Sequence, residues 1–154
     1  DGEAEHRGLE LAAQAKLSKE WNVGASATTL NARQIGTGDA TIEGKRVTNV
    51  PSFKSTIYTD YAPAIFAGAH ITASWQHSGS KSFSPDNKVT VPSYNVVNFG
   101  TRYSLQNNGI VTTLRFDINN AFNKFYWRDV TQSLGGYLFP GAPRTYKLSA
   151  QIDF

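Results

Sequence analysis

The last eleven residues, Arg144 to Phe154, read RTYKLSAQIDF, and apolar and polar side chains alternate through them. Tyr146, Leu148, Ala150, Ile152 and Phe154 form one set, and Thr145, Lys147, Ser149, Gln151 and Asp153 form the other. A period of two is the signature of an extended strand whose two faces meet different surroundings. Six further stretches repeat it. Leu9, Leu11, Ala13, Ala15 and Leu17 oppose Glu10, Gln14 and Lys16, and Trp21, Val23, Ala25 and Ala27 oppose Asn22, Gly24, Ser26 and Thr28. Phe53, Ile57 and Tyr61 oppose Lys54, Thr56 and Asp60, and Ala69, Ile71, Ala73 and Trp75 oppose His70, Thr72 and Ser74. Val97, Phe99, Tyr103 and Leu105 oppose Asn98, Gly100, Arg102 and Ser104, and Ile110, Leu114, Phe116 and Ile118 oppose Thr113, Arg115 and Asp117. The apolar sets carry no charge. The pattern predicts an all-β, antiparallel chain of about seven strands, with no helix.

A soluble sheet with one wet face would show the same alternation, and the mean hydropathy of −0.38 suits it. Three features point instead to a transmembrane β-barrel segment. The connections alternate between short (SKE, APAIFA, QNNG) and long (near 36–50, 79–92 and 129–143), as in barrels with tight turns on one side and long loops on the other. Aromatic residues of the apolar set fall near strand ends, with Trp21, Tyr61, Tyr103 and Phe154 toward the short turns and Phe53 and Tyr146 toward the long loops. Two such bands suit two membrane interfaces. Finally, the alternating runs reach nine residues or more, enough to cross a bilayer at a tilt.

Other classes find little support. Fifteen Lys and Arg against twelve Asp and Glu are too few and too scattered for a nucleic-acid partner. Without cysteine there is no disulfide framework or thiolate metal site. The opening DGEAEHRGLE is polar, so an export signal is expected outside the chain. His6, His70 and His77 fit no nucleophile or metal-ligand spacing, and GTGDA and SGSKS read as loops. Neither catalytic residues nor a metal site are expected.

Seven strands cannot close a barrel of the usual even count. The chain is therefore expected to be one arc of a larger barrel; the other reading is a self-contained small outer-membrane barrel with a structural or adhesive role. In order, GEAEHRGLEL, NVPSFKSTIYTDY, YNVVNFGTRYSL, LRFDINNAFNKFYW and PGAPRTYKLSAQIDF resemble the C-terminal part of TonB-dependent outer-membrane receptors, specifically the ferric-siderophore group. The resemblance implies that residues 1–154 correspond to the last seven strands of a 22-stranded barrel, with no counterpart here of the plug domain or TonB box. It implies a transporter, not an enzyme, in the bacterial outer membrane. The implied partners are a ferric siderophore, TonB through the missing N-terminal part, the barrel-assembly machinery and outer-membrane lipid. No cofactor is implied; iron arrives only inside the ligand. Phe154, with Ile152, Leu148 and Tyr146 on the same face, matches the terminal-strand pattern resembling the assembly signal.

The last long loop, within FYWRDVTQSLGGYLFPGAPR, supplies the ligand candidates Tyr126, Trp127, Arg128, Tyr137 and Phe139. Aromatic faces and a guanidinium suit a bulky anionic chelate, while an upper interfacial girdle would account for the same aromatics. Lys54, Asp60, Arg102, Arg115, Asp117, Lys147 and Asp153 are expected to form a lumenal wall of cross-strand charge pairs.

Overall fold

The computed structural model describes residues 2–154. Along the chain run β1 (Glu3–Lys16), β2 (Trp21–Ile35), β3 (Phe53–Tyr61), β4 (Ala69–Ser78), β5 (Lys81–Ser82), β6 (Thr90–Val91), β7 (Tyr94–Asn107), β8 (Ile110–Asn119), β9 (Trp127–Thr131), β10 (Tyr137–Pro140) and β11 (Thr145–Asp153). One antiparallel sheet holds seven of them in the order β1-β2-β3-β4-β7-β8-β11. These are the seven strands the alternation predicts. β1 and β2 run further, to Glu3 and Ile35, because their ladder continues beyond the apolar stretch through Arg7↔Asn31 and Glu5↔Arg33. Two small hairpins, β5–β6 and β9–β10, were not foreseen; they lie inside the second and third long loops.

Directly opposed residues of neighbouring strands share a face. One row runs Leu9↔Thr29↔Phe53, and another Ala13↔Ala25↔Ile57↔Trp75↔Val97. Further along, Phe99↔Ile118↔Tyr146 and Tyr103↔Leu114↔Ala150 continue the same face. This face is apolar and uncovered: Leu11 is 63% exposed and Leu148 79%. Arg102, Arg115 and Lys147 lie on the other face. Burying an arginine or lysine at the lipid midplane would cost about 2–4 kcal/mol, so hydrocarbon against the apolar face fixes this orientation. Both aromatic bands are present on it. Trp21 meets Tyr61 edge-on at 6.3 Å near the short turns, while Phe53 lies 5.9 Å from His77 near the long loops.

The tightest turn, between β7 and β8, has Asn108 at φ 49° and Gly109 at φ 83°. Two consecutive positive φ values define the twisted hairpin turn that Asn-Gly forms without strain. It places Arg102 directly opposite Arg115, two like charges. The expected wall of cross-strand charge pairs is therefore not what forms. Among the described residues only Asp60 of these members comes within bonding distance of a basic side chain, the His70 imidazole at 2.7 Å. Lys147 faces Asp117 in register without pairing. Register was decided by the apolar rows and the turn, and the lumenal charges had to accept the positions left to them.

β1 and β11 are the outer strands, and among the described residues no ladder joins them. The sheet is an open arc rather than a closed small barrel, and its two edges need further strands in a bilayer, where unpaired backbone groups cannot be satisfied. The close packing lies at the long-loop end instead of between two sheets. Val91, Val130, Lys81, Ser82 and Asn120 are all buried there.

Candidate functional site: the loop cluster

Three asparagines with positive φ organise the long loops: Asn49 at 60°, Asn87 at 61° and Asn120 at 50°. Asparagine reaches this left-handed region more readily than other non-glycine residues, and its carboxamide both donates and accepts. The Asn49 N–H donates to the Ser82 carbonyl at 3.0 Å, and its Oδ1 accepts from the Val130 N–H at 3.1 Å. One residue of the first loop thus holds both other loops. Asn87 clasps the backbone of Arg46, Oδ1 accepting from its N–H at 2.7 Å and Nδ2 donating to its carbonyl at 2.9 Å. Asn120 closes the base of the third loop, with Nδ2 donating to the carbonyls of Lys124 (2.8 Å) and Ala142 (3.0 Å) and Oδ1 accepting from the Lys124 N–H (2.8 Å). With strand pairing ending at Asn119, the third loop spans 120–144, longer than the sequence pattern suggested.

The buried Lys81 of β5 ties the second loop to the third. Its ammonium donates to the Arg128 carbonyl and lies 4.0 Å from Asp129 Oδ1. Burial pushes the lysine pKa down, and the Asp129 charge opposes that. Arg128 Nε donates to Asp129 Oδ2 at 2.7 Å. That hydrogen bond, more than the nearby Lys81 charge, holds the Asp129 carboxyl below its ordinary range.

The five ligand candidates do not form one surface. Tyr126 is half-buried and packs on Tyr94 with ring centroids 4.2 Å apart. Burial raises its hydroxyl pKa. It supports the loop from within. Trp127 meets the exposed Phe125 edge-on at 4.9 Å. The β9–β10 register puts Tyr137 opposite Thr131 and Phe139 opposite Asp129 on one face, with both aromatics exposed. The ladder steps from Asp129 to Trp127, so Arg128 stands at an irregularity in the pairing, with its guanidinium turned to Asp129. The girdle draws on this loop too, through Phe122, which meets the lipid-facing Phe99 edge-on at 6.5 Å. Tyr146, Leu148 and Ile152 share the lipid face of β11 from its long-loop end to its short-turn end, and Phe154 is fully exposed just beyond it. The sequence reading missed the asparagine nodes and Lys81. Asparagines within long loops were the available sign of the former; nothing local marks Lys81.

An open antiparallel arc with one apolar, uncovered face, tight turns at one end and interlocked loops at the other is a segment of a transmembrane β-barrel wall. The chain belongs to the TonB dependent receptor-like β-barrel family, whose model matches residues 2–121. It is 28% identical over 99% of its length to the ferrichrome receptor FcuA of Yersinia enterocolitica. Over 99% of its length it is also 30% identical to the ferrichrome outer membrane transporter/phage receptor of Escherichia coli K12. In each case it spans 20% of the relative, about a fifth. Among solved structures, that of BauA, the ferric preacinetobactin receptor of Acinetobacter baumannii, superimposes with a TM-score of 0.89 at 26% identity, covering all of this chain and 23% of that one. As a piece of such a wall, the chain resides in the outer membrane.

Proposed function

We propose that this chain is part of the barrel wall of a receptor that carries ferric siderophores across the outer membrane, a transporter and not an enzyme. The observation that carries the reading is the similarity along 99% of the chain to two ferrichrome proteins from different organisms. The long loops face the outside and take the ferric chelate. Tyr137 and Phe139 offer aromatic faces, Trp127 and Phe125 a second aromatic pair, and Arg128 a guanidinium for an anionic group. Iron enters as part of the chelate, and the chain supplies no cofactor of its own. TonB acts through a part of the receptor outside this chain. Tyr146, Leu148, Ile152 and Phe154 present the terminal strand to the barrel-assembly machinery, by strand pairing with alternate side chains as the specific element.

The test is uptake of radio-iron by cells that lack other ferric-chelate receptors and express the receptor carrying this chain. Ferrichrome, ferric preacinetobactin and ferric citrate are supplied separately, with and without a protonophore. Accumulation from at least one chelate, abolished when the proton-motive force is dissipated, supports the reading. Correctly inserted receptor that accumulates iron from none of them, and from no other ferric siderophore in a wider screen, overturns it.

A further inference from the structure

Above the apolar band, the outward face of β1 and β2 changes character. Arg7 lies two residues beyond Leu9 on the same face and opposite Asn31; Glu5 lies opposite Arg33. The first long loop folds back beside β2, and its Arg46 forms an antiparallel bridge with Arg33. Flanking hydrogen bonds, Gln34 N–H to the Lys45 carbonyl (2.9 Å) and Val47 N–H to the Ala32 carbonyl (3.1 Å), make this the close, non-hydrogen-bonded kind of pair. Side chains in such a pair stand side by side on one face. Three guanidiniums are thus gathered on the outward side of the wall.

Their charge is poorly matched. Glu5 pairs with Arg7. Arg33 donates to Asn31 Oδ1 (2.8 Å) and the Gly44 carbonyl (3.1 Å), and Arg46 donates to the Ser80 carbonyl (3.1 Å). Among the described residues, neither Arg33 nor Arg46 forms an ion pair with a carboxylate. Like charges directly opposite one another destabilise a strand pair, and an anion between them would relieve that cost. The chain leaves room for one. Because the first loop runs beside β2 until β3 begins at Phe53, Arg7, Arg33 and Arg46, with Thr29, Asn31 and Ser52, line an open cavity of about 460 Å³.

Position identifies the ligand. The row Leu9↔Thr29↔Phe53 is the last apolar row before the long loops. Arg7, two residues beyond it, stands about 7 Å further along the strand, at headgroup depth. The arginines share the outward face with Leu9, so the wall separates them from the lumen. We propose that Arg7, Arg33 and Arg46 form a binding site for the phosphate of an anionic membrane lipid in the leaflet on the long-loop side. Guanidinium forks match phosphate oxygens in pairs, the Thr29 and Ser52 hydroxyls and the Asn31 carboxamide add donors, and the acyl chains lie below on Leu9, Leu11, Ala27 and Phe53. The inference depends on the membrane orientation of the sheet and not on any siderophore.

The experiment uses the complete receptor carrying this chain, purified in detergent and titrated by native mass spectrometry. The probes are a bisphosphorylated glucosamine lipid (lipid A), its dephosphorylated form, and inorganic phosphate. The Arg33→Gln/Arg46→Gln variant should bind the phosphorylated lipid about thirtyfold more weakly, from the usual contribution of two interfacial cations. Arg144→Gln, an exposed arginine outside the cluster, should bind as wild type does. Arg33→Lys/Arg46→Lys, which keeps the charge but loses the fork, should fall between and serves as the test if the Gln pair fails to fold. Equal binding of the dephosphorylated lipid, or a folded Gln or Lys pair that binds like wild type, overturns the site. Inorganic phosphate held as tightly as the lipid would make it a soluble-anion site and overturn the lipid assignment.

Discussion

Lys81 reaches out of the second loop to donate to the carbonyl oxygen of Arg128 in the third, and it is buried in doing so. Removing the ammonium leaves that carbonyl without its donor and takes a nearby positive charge from the Asp129 carboxylate, which keeps its bond from Arg128. Hydrogen bonds to charged groups contribute about 1.5–3 kcal/mol, and a partner left unsatisfied makes the loss larger. Lys81→Met should therefore loosen the two loops from each other by about 2–3 kcal/mol. Hydrogen–deuterium exchange checks this. Protection should fall together in 79–93 and 127–140, while β1 to β4 stay unchanged. Loss confined to the second loop would show that Lys81 does not couple them.

Gly24 lies opposite Tyr58 in the β2–β3 ladder, and the tyrosine ring covers it. A Cβ added at Gly24 would come within 2.2 Å of Tyr58 Cε1 and 2.5 Å of Cζ. Gly24→Ala should cost about 1–3 kcal/mol, the usual penalty for overfilling a packed position. In a Tyr58→Ala background the same change should be close to neutral, since neighbours sharing space do not add. Urea unfolding of the four members of this cycle measures the difference. Equal costs in both backgrounds would mean that the ring moves aside freely.

The second loop contains a turn with its own pH dependence. The Asp86 carboxyl is drawn down to about 2, first by a hydrogen bond from the Ser84 hydroxyl (2.6 Å) and then by the Lys88 N–H (3.1 Å). A carboxyl whose folded pKa is depressed stabilises the fold fully above its ordinary value of 3.8 and loses that contribution as pH falls through about 2. The amides of Lys88 and Val89, which donate to Asp86 and Ser84, should keep their protection at pH 5 and lose it progressively between about pH 4 and 2. Asp86→Asn should remove the step. Loss of protection above pH 5 would place its cause elsewhere.

The seven wall strands were legible because each alternates over a long run against lipid, where a one-residue slip would bury charge. The hairpins β9 and β10 were not. WRDVT and YLFP are five and four residues long, and Gly135 and Gly136 stand between them. Such short stretches gain their pairing from tertiary contacts, here the Asn49 carboxamide on the Val130 N–H. The ligand candidates were picked by residue type alone. Type could not show that Tyr126 turns inward onto Tyr94 or that Arg128 sits where the β9–β10 register slips, turned to Asp129. Pairing charges by sign failed for a related reason, since the Asn108–Gly109 turn fixes Arg102 against Arg115 regardless of charge.

The assembly role proposed for Phe154 and a purely structural role predict different outcomes. β11 ends at Asp153, and the Phe154 side chain is fully exposed. Within the sheet it holds nothing in place. As an interfacial ring in a finished barrel it is worth about 1–3 kcal/mol, which is small against a closed ladder of backbone hydrogen bonds. Removing Phe154 from the receptor carrying this chain should therefore reduce the amount inserted in the outer membrane severalfold, while the inserted fraction keeps its resistance to heat. Surface labelling of intact cells gives the first quantity, and the heat-modified mobility shift in detergent gives the second. Normal insertion combined with a sharply lowered unfolding temperature would make Phe154 a structural anchor and remove it from the assembly signal. A charged replacement should behave like the deletion, because the edge backbone is common to all strands and the proposed signal lies in the side chains.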